Sequence, residues 1–252
     1  MKFIYDTQLI FMRNLKRRLS MPLWMLLGLM QPVLYLLLYM PLLQNLGNTS
    51  ALPLGQIAQI FVPGMLVIMG VSSLFAGFGF IPQIREGFIT RLLVSPVSRS
   101  AILLGYVLEQ TFSLLLQIVV LFIIALFLGL SVSVWGVVLT FILVLLIGVI
   151  MASLSYVISI STKNEDALAS MVNTLYLPIM LLSGIMLPIS LAPEWLKNAA
   201  HFNPFYYAVE GSRALFLGHF TDAAVMQGFI IMSVFAVFSV WLASKSLRQM
   251  SA

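Results

Sequence analysis

The chain has 252 residues, 61% of them hydrophobic and only 8% charged, with a mean hydropathy of +1.07. Soluble domains average about 45–50% apolar and about 25% charged, so a water-soluble enzyme is excluded and an integral membrane protein remains. With no cysteine, disulfides, thiolate metal sites and cysteine nucleophiles are excluded, and the net charge of +5 reads as a topology signal before a nucleic-acid one.

A hydrocarbon core of about 30 Å takes about 20 apolar residues per helix. Residues 2–18 are too charged to cross it. Leu9, Met12, Leu15 and Leu19 share one side at helical spacing, and Arg13, Lys16 and Arg17 are placed to meet anionic headgroups. The segment reads as an interfacial helix or as a plain basic topology anchor. The apolar run behind it is long, has no A-x-A-like cleavage site and is followed by five more, which argues against a signal peptide.

Span one covers residues 20–41, where Gln31, Tyr35 and Tyr39 recur every four residues. Span two covers 57–80. Residues 82–99 then form a short amphipathic segment: Phe88, Ile89, Leu92 and Leu93 make an apolar face, Arg91 turns away, and Pro96 biases Ser95 out of helix. Spans three and four cover 101–128 and 135–160. Tyr106, Glu109, Gln110, Ser113 and Gln117 line one stripe of span three. Glu109 lies about 12 Å along that helix. A charge there costs about 3 kcal/mol, so it faces protein or water, or is protonated. It reads either as a substrate or proton contact or as an interhelical hydrogen bond.

Span five, 167–187, places Ser170, Asn173, Tyr176 and Ser183 near one another. Residues 188–224 are too few and too broken to span. Pro193-Glu194 opens a helix, Asn203-Pro204 breaks it, and 205–216 forms a second. Trp195, Leu196, Phe205, Tyr206, Leu215 and Phe216 suit an interface better than water, so a re-entrant or interfacial hairpin is expected, with a plain outer cap as the alternative. The last span covers 225–244.

Runs such as 114–130 do not alternate, which excludes a barrel. With the N-terminus inside, Lys2, Arg13, Lys16, Arg17, Arg18, Arg85, Arg91, Arg99, Lys163, Lys245 and Arg248 are cytoplasmic, and only Lys197 and Arg213 are outside. That asymmetry predicts both termini cytoplasmic. The expected fold is a single all-α membrane domain over 1–252 with six transmembrane helices. Catalytic signatures are missing. Lys2, Lys16, Lys163, Lys197 and Lys245 each follow a residue other than glycine, so no P-loop is present. Gly77-Phe78-Gly79 runs into Pro82 inside a span and fails as a dinucleotide loop. His201 and His219 lack metal-site spacing, and no G-x-S-x-G elbow occurs.

The ordered motifs resemble the permease subunit of ABC-2 type transporters, near the drug-export and polysaccharide-export branches. They are Phe61-Val62-Pro63-Gly64; Arg85-Glu86-Gly87; Arg91-Leu92-Leu93-Val94-Ser95-Pro96-Val97-Ser98-Arg99; Leu182-Ser183-Gly184; Pro193-Glu194-Trp195-Leu196; and Asn203-Pro204-Phe205 through Arg213-Ala214-Leu215-Phe216. The resemblance covers nearly the whole chain. It implies that Arg85, Glu86, Gly87, Arg91, Leu92, Leu93, Pro96 and Arg99 form a coupling helix that docks on a separate ATP-binding cassette subunit, which carries ATP and magnesium. Two such subunits would serve two copies of this chain. Spans one and five would meet across the dimer axis, making Gln31, Tyr35, Tyr39, Asn173 and Tyr176 the candidates for the pathway lining. Pro193, Glu194, Trp195, Asn203, Pro204 and Arg213 would form the re-entrant hairpin. No cofactor, catalytic residue, metal or nucleic acid is expected in this chain, and the location is the cytoplasmic (inner) membrane. The cargo is undetermined: a drug, lipid, glycan or peptide fits equally. A proton-coupled carrier using Glu109 and a non-transporting membrane assembly protein are the competing classes.

Overall fold

The computed structural model describes residues 2–20, 28–38, 54–94, 97–185, 189 and 192–249, and the described residues are helical apart from turns and connections. In chain order the helices are α1 (Lys2–Leu19), α2 (Gly28–Leu38), α3 (Leu54–Ser72), a 3-10 segment (Ser73–Gly79), α4 (Ile81–Arg85), α5 (Phe88–Val94), α6 (Arg99–Phe127), α7 (Val134–Thr162), α8 (Glu165–Leu182), α9 (Glu194–Ala200), α10 (Pro204–Phe216) and α11 (Ala223–Gln249).

Four stretches among the described residues are long and apolar enough to cross a membrane: Ala58–Arg85, α6, α7 and α11. They correspond to expected spans two, three, four and six, with ends shifted by a few residues. Span one is described only over α2. The fifth is α8, whose 18 residues begin with Glu165 and Asp166 and so carry charge into the first turn. The expectation of one amphipathic segment over 82–99 resolves into two short helices. α4 continues span two, Gly87 turns with φ 71°, and α5 follows.

Local chemistry accounts for the boundaries. Ser98 accepts from the Ala101 amide to open α6, and Ser133 accepts from Gly136 to open α7. Asn164 accepts from the Asp166 and Ala167 amides to open α8, and both acids sit at the positive end of its dipole. The connection from α7 to α8 is a tight corner in which Lys163 takes the left-handed conformation at φ 50°.

Span two breaks its α-helical pattern at the 3-10 segment, beside α7. Ser155 Oγ donates to the Leu74 carbonyl at 2.5 Å and accepts from the Gly77 amide at 2.8 Å, replacing bonds the helix gives up there. A side chain at Gly77 would collide with the Ser159 and Ser155 hydroxyls, so this approach requires glycine. The main core runs along α3, α6, α7 and α10 through Met65, Leu66, Ile68, Ile147 and Phe205. A second core lies at one end of the bundle, joining Ile10, Phe80, Ile89, Ile102, Tyr156 and Leu247. Exposed apolar side chains cover α11 (Ile230, Val234, Val237, Phe238) and α6 (Val120, Ile123, Phe127), as lipid-facing helices require.

Candidate functional site

At the basic end, α1 lies against α6 with an inverted amphipathic pattern. Asp6, Thr7, Ile10 and Asn14 are buried, whereas Leu9, Met12 and Leu19 are exposed. The apolar row expected to lie on lipid is therefore turned outward, and a mostly polar row makes the contact with protein. Arg13 differs from the sequence expectation. Its guanidinium lies 3.4 Å from the centre of the Phe88 ring and donates to Gln83 Oε1 at 3.1 Å, so it joins α1 to α4 and α5. Tyr106 donates to the same oxygen at 2.6 Å, which ties α6 into the junction.

Glu109 is equally committed. Its Oε1 pairs with Arg18 Nε at 2.5 Å and accepts from Ser113 at 3.0 Å. Arg18 Nη2 donates to Glu109 Oε2 at 3.2 Å and to Gln110 Oε1 at 2.7 Å. Glu109 is only 4% exposed. Arg18 thus meets both oxygens of this buried carboxylate, and Ser113 adds a further donor to it.

α5 is seated on this junction by Ile89, which is fully buried, with Phe88 and Leu92 half-buried beside it. Arg85, Glu86, Thr90, Arg91 and Val94 are exposed on the far side, and Arg99 is exposed at the start of α6. Of the expected coupling residues, Gly87 forms the turn and Leu92 faces inward. Pro96 and the Leu93 side chain lie outside the described residues. Arg85 also reaches Glu165 of α8 at 3.7 Å, an exposed pair worth about 0–1 kcal/mol.

At the opposite end of α8, three of the sequence motifs converge on one stretch of backbone. Gly64 approaches the Ile185 carbonyl so closely that a Cβ would collide with it. Asn203 accepts from the Phe205 amide at 3.1 Å, capping α10, and donates from Nδ2 to the Ile179 carbonyl at 2.9 Å. Arg213 donates to the Gly184 carbonyl at 2.7 Å and pairs with Glu210 at 2.8 Å. These side chains satisfy carbonyls that the end of a helix leaves open. Burial pulls the Arg213 pKa below the usual arginine value, and Glu210 opposes the fall. Pro193 caps α9, Pro204 begins α10, Glu194 pairs with Lys197 at 3.0 Å, and Trp195 is exposed.

The expected lining residues lie on the α2 and α8 side. Gln31 and Asn173 are exposed, Tyr35 and Tyr176 half-buried against the main core. Gln31 donates to the Tyr35 hydroxyl at 3.4 Å. Tyr39 lies outside the described residues. The structure adds two aromatics that the sequence reading passed over: Phe75, 5.6 Å from Tyr176 between ring centres, and Phe78, 6.2 Å from Phe75. Their signal was the Ser72-Ser73 pair and the Gly77-Phe78-Gly79 run in an otherwise apolar span, the mark of a non-α turn that presents side chains at a different pitch.

A bundle of long apolar helices with an exposed charged segment at one end is the architecture of a multi-pass membrane protein. The chain belongs to the ABC-2 type transporter family, whose model matches residues 5–217. It is similar to the candidate transport permease ycf38 of Cyanophora paradoxa, 27% identical over 252 residues, covering 93% of this chain and 85% of that one. The protein of the same name from Pyropia yezoensis is 27% identical over 240 residues, covering 88% and 80%. ABC transporter G family member 20 of Dictyostelium discoideum is 24% identical over 204 residues, covering 78% of this chain and 28% of its own length.

Proposed function

We propose that this chain is the membrane subunit of an ATP-driven exporter, working as a pair of copies with two separate ATP-binding subunits in the cytoplasmic membrane, both termini inside. The supporting observation is the segment Arg85 to Arg91, whose apolar side is anchored in the bundle by Ile89 and Arg13 while its charged side is exposed. Such an element transmits a push as a rigid body, because Arg13 and Gln83 tie α1, α4 and α6 together and Phe88 of α5 packs under the same arginine.

In this reading the partner subunits bind ATP with magnesium and close, and α5 relays the movement into span two and α8. Exposed Asn173 and Gln31 make α2 and α8 the face that a second copy covers, since amides in contact with lipid tails are costly. Phe75, Phe78 and Tyr176 then line the route with Tyr35 nearby. The 188–224 region is the re-entrant hairpin that closes the outer end. Glu109, paired with Arg18, has a structural role here and gives the proton-carrier reading no support.

Affinity purification of the tagged chain from native membranes, with mass spectrometry of its companions, tests the reading. A soluble subunit bearing a P-loop, recovered near one-to-one, is expected. A homomer repeatedly free of any such subunit overturns it.

A further inference from the structure

The C-terminal end of α11 carries a feature that the transport reading leaves unused. An open cavity of about 330 Å³ lies there along one exposed face of α11, lined by Trp241, Ser244, Lys245 and Arg248. The stretch from residue 223 to 252 contains no Asp or Glu, and its charged side chains are these two cations. Arg99, at the start of α6, donates to the Arg248 carbonyl at 3.2 Å and so brings a third positive group beside the end of α11. Lys245 lies 5.4 Å from the Trp241 ring. The ion pairs of the described residues (Arg18–Glu109, Arg85–Glu165, Lys197–Glu194 and Arg213–Glu210) leave Lys245 and Arg99 outside them.

Depth is set by the neighbours. Ala243 and Leu247 pack in the end core with Ile10, Ile89 and Ile102, which places the cavity level with the basic helix α1. Exposed Trp241 is the residue type that settles at the membrane–water boundary. One to two turns back along α11, Val234, Val237 and Phe238 are exposed, with the Phe238 ring tilted against Trp241 at 5.9 Å between ring centres. An apolar strip therefore leads directly along this face of α11 to two exposed cations, with a hydroxyl and an indole beside them.

We propose that this cavity binds the headgroup of one anionic phospholipid. The phosphodiester sits between Lys245 and Arg248 and accepts from the Ser244 hydroxyl, while the acyl chains follow Val234, Val237 and Phe238. A sulfonate or a free inorganic phosphate shares the charge but not the chains, and the strip along α11 favours the lipid. The assignment is independent of what the subunit transports.

Titration of the full-length chain in detergent with phosphatidylglycerol, read by native mass spectrometry, tests the site. Phosphatidylcholine with the same acyl chains and inorganic phosphate are titrated alongside. One phosphatidylglycerol should bind in clear preference to phosphatidylcholine. The double variant Lys245→Ala/Arg248→Ala should weaken it about 30-fold, each cation near an anionic headgroup contributing about fivefold. Ser244→Trp, which fills the cavity and leaves the charge alone, should weaken it as well. Unchanged phosphatidylglycerol affinity in both variants overturns the proposal, as does equal binding of phosphatidylcholine. Phosphate binding as strong as the lipid's, lost in the same variants, overturns the lipid assignment in favour of a free-anion site.

Discussion

Arg213 of the hairpin donates to the carbonyl of Gly184, just beyond the end of α8, at 2.7 Å. Asn203 grips the same helix about one turn earlier through Ile179, so α10 holds the C-terminal end of α8 at two points about ten residues apart on its own length. The hairpin and α8 are thus fastened to one another by side chain-to-backbone bonds and share any displacement.

Removing this fastening has a direct stability consequence. Arg213→Ala leaves Glu210 without its cation and two carbonyls without a donor, with the arginine only 7% exposed. A loss of about 1.5–3 kcal/mol is expected, the range for charge-assisted bonds. Arg213→Lys should restore part of it, since an ammonium reaches one carbonyl but lacks the planar fork. Denaturant unfolding in micelles measures both, and an alanine variant as stable as the parent would show that the latch carries no load.

Arg18 and Glu109 offer a thermodynamic cycle. Arg18→Ala strands a buried carboxylate, and its cost falls toward the low end of the about 3–5 kcal/mol of a fully buried pair, because the Arg18 side chain is 30% exposed. Glu109→Gln keeps an acceptor for Ser113 and removes the charge, so it should cost less. The double variant should be more stable than Arg18→Ala alone. ATP-dependent flux should survive Glu109→Gln. Transport driven by a pH gradient without ATP, and abolished by that change, would instead revive the proton carrier.

Periodicity and charge were enough to read the long helices, because a run of apolar residues near the bilayer thickness has few other fates. Span two, α6, α7 and α11 follow from that count. What the residues could not announce was direction of side chains at junctions. Arg13 sits among Lys16 and Arg17 and looks like one more surface cation, yet Phe88 and Gln83, distant in sequence, draw it inward. Leu92 is expected in the docking segment but lies half-buried on the inner side, since a seven-residue helix has only one face to bury and Ile89 determines it. The convergence of Gly64, Gly184, Asn203 and Arg213 was equally invisible as geometry: each motif was legible singly, and only folding shows that they meet at the end of α8.

The exposed side of α5 gives the sharpest test of coupling. Arg91→Glu reverses a charge on an exposed side chain while its amide keeps its bond to the Gly87 carbonyl, so the monomer should unfold as the parent does. Co-purification of the ATP-binding subunit, or its stimulated hydrolysis, should fall by about tenfold if one interfacial ion pair is converted to a repulsion. Leu92→Asp is a poor probe of the same question, because it would bury a carboxylate and destabilise the end core. Retention of full coupling by Arg91→Glu would move the docking surface elsewhere.

The break in span two makes a prediction that separates packing from hydrogen bonding. Gly77→Ala drives a methyl into the hydroxyls of Ser159 and Ser155, and overpacking of this kind costs about 1–3 kcal/mol. Ser159 donates only to the Ser155 carbonyl in its own helix, so Ser159→Ala gives up little and opens space. Ser155 is different: it bonds both the Leu74 carbonyl and the Gly77 amide, and Ser155→Ala leaves those two backbone groups unpaired. Combining Gly77→Ala with Ser159→Ala should therefore recover stability, whereas combining it with Ser155→Ala should not. Thermal unfolding of the three single and two double variants in one detergent decides it. If Ser155→Ala rescues Gly77→Ala as well as Ser159→Ala does, steric relief alone explains the site. The serine then has no part in holding the 3-10 turn open beside Phe75 and Phe78.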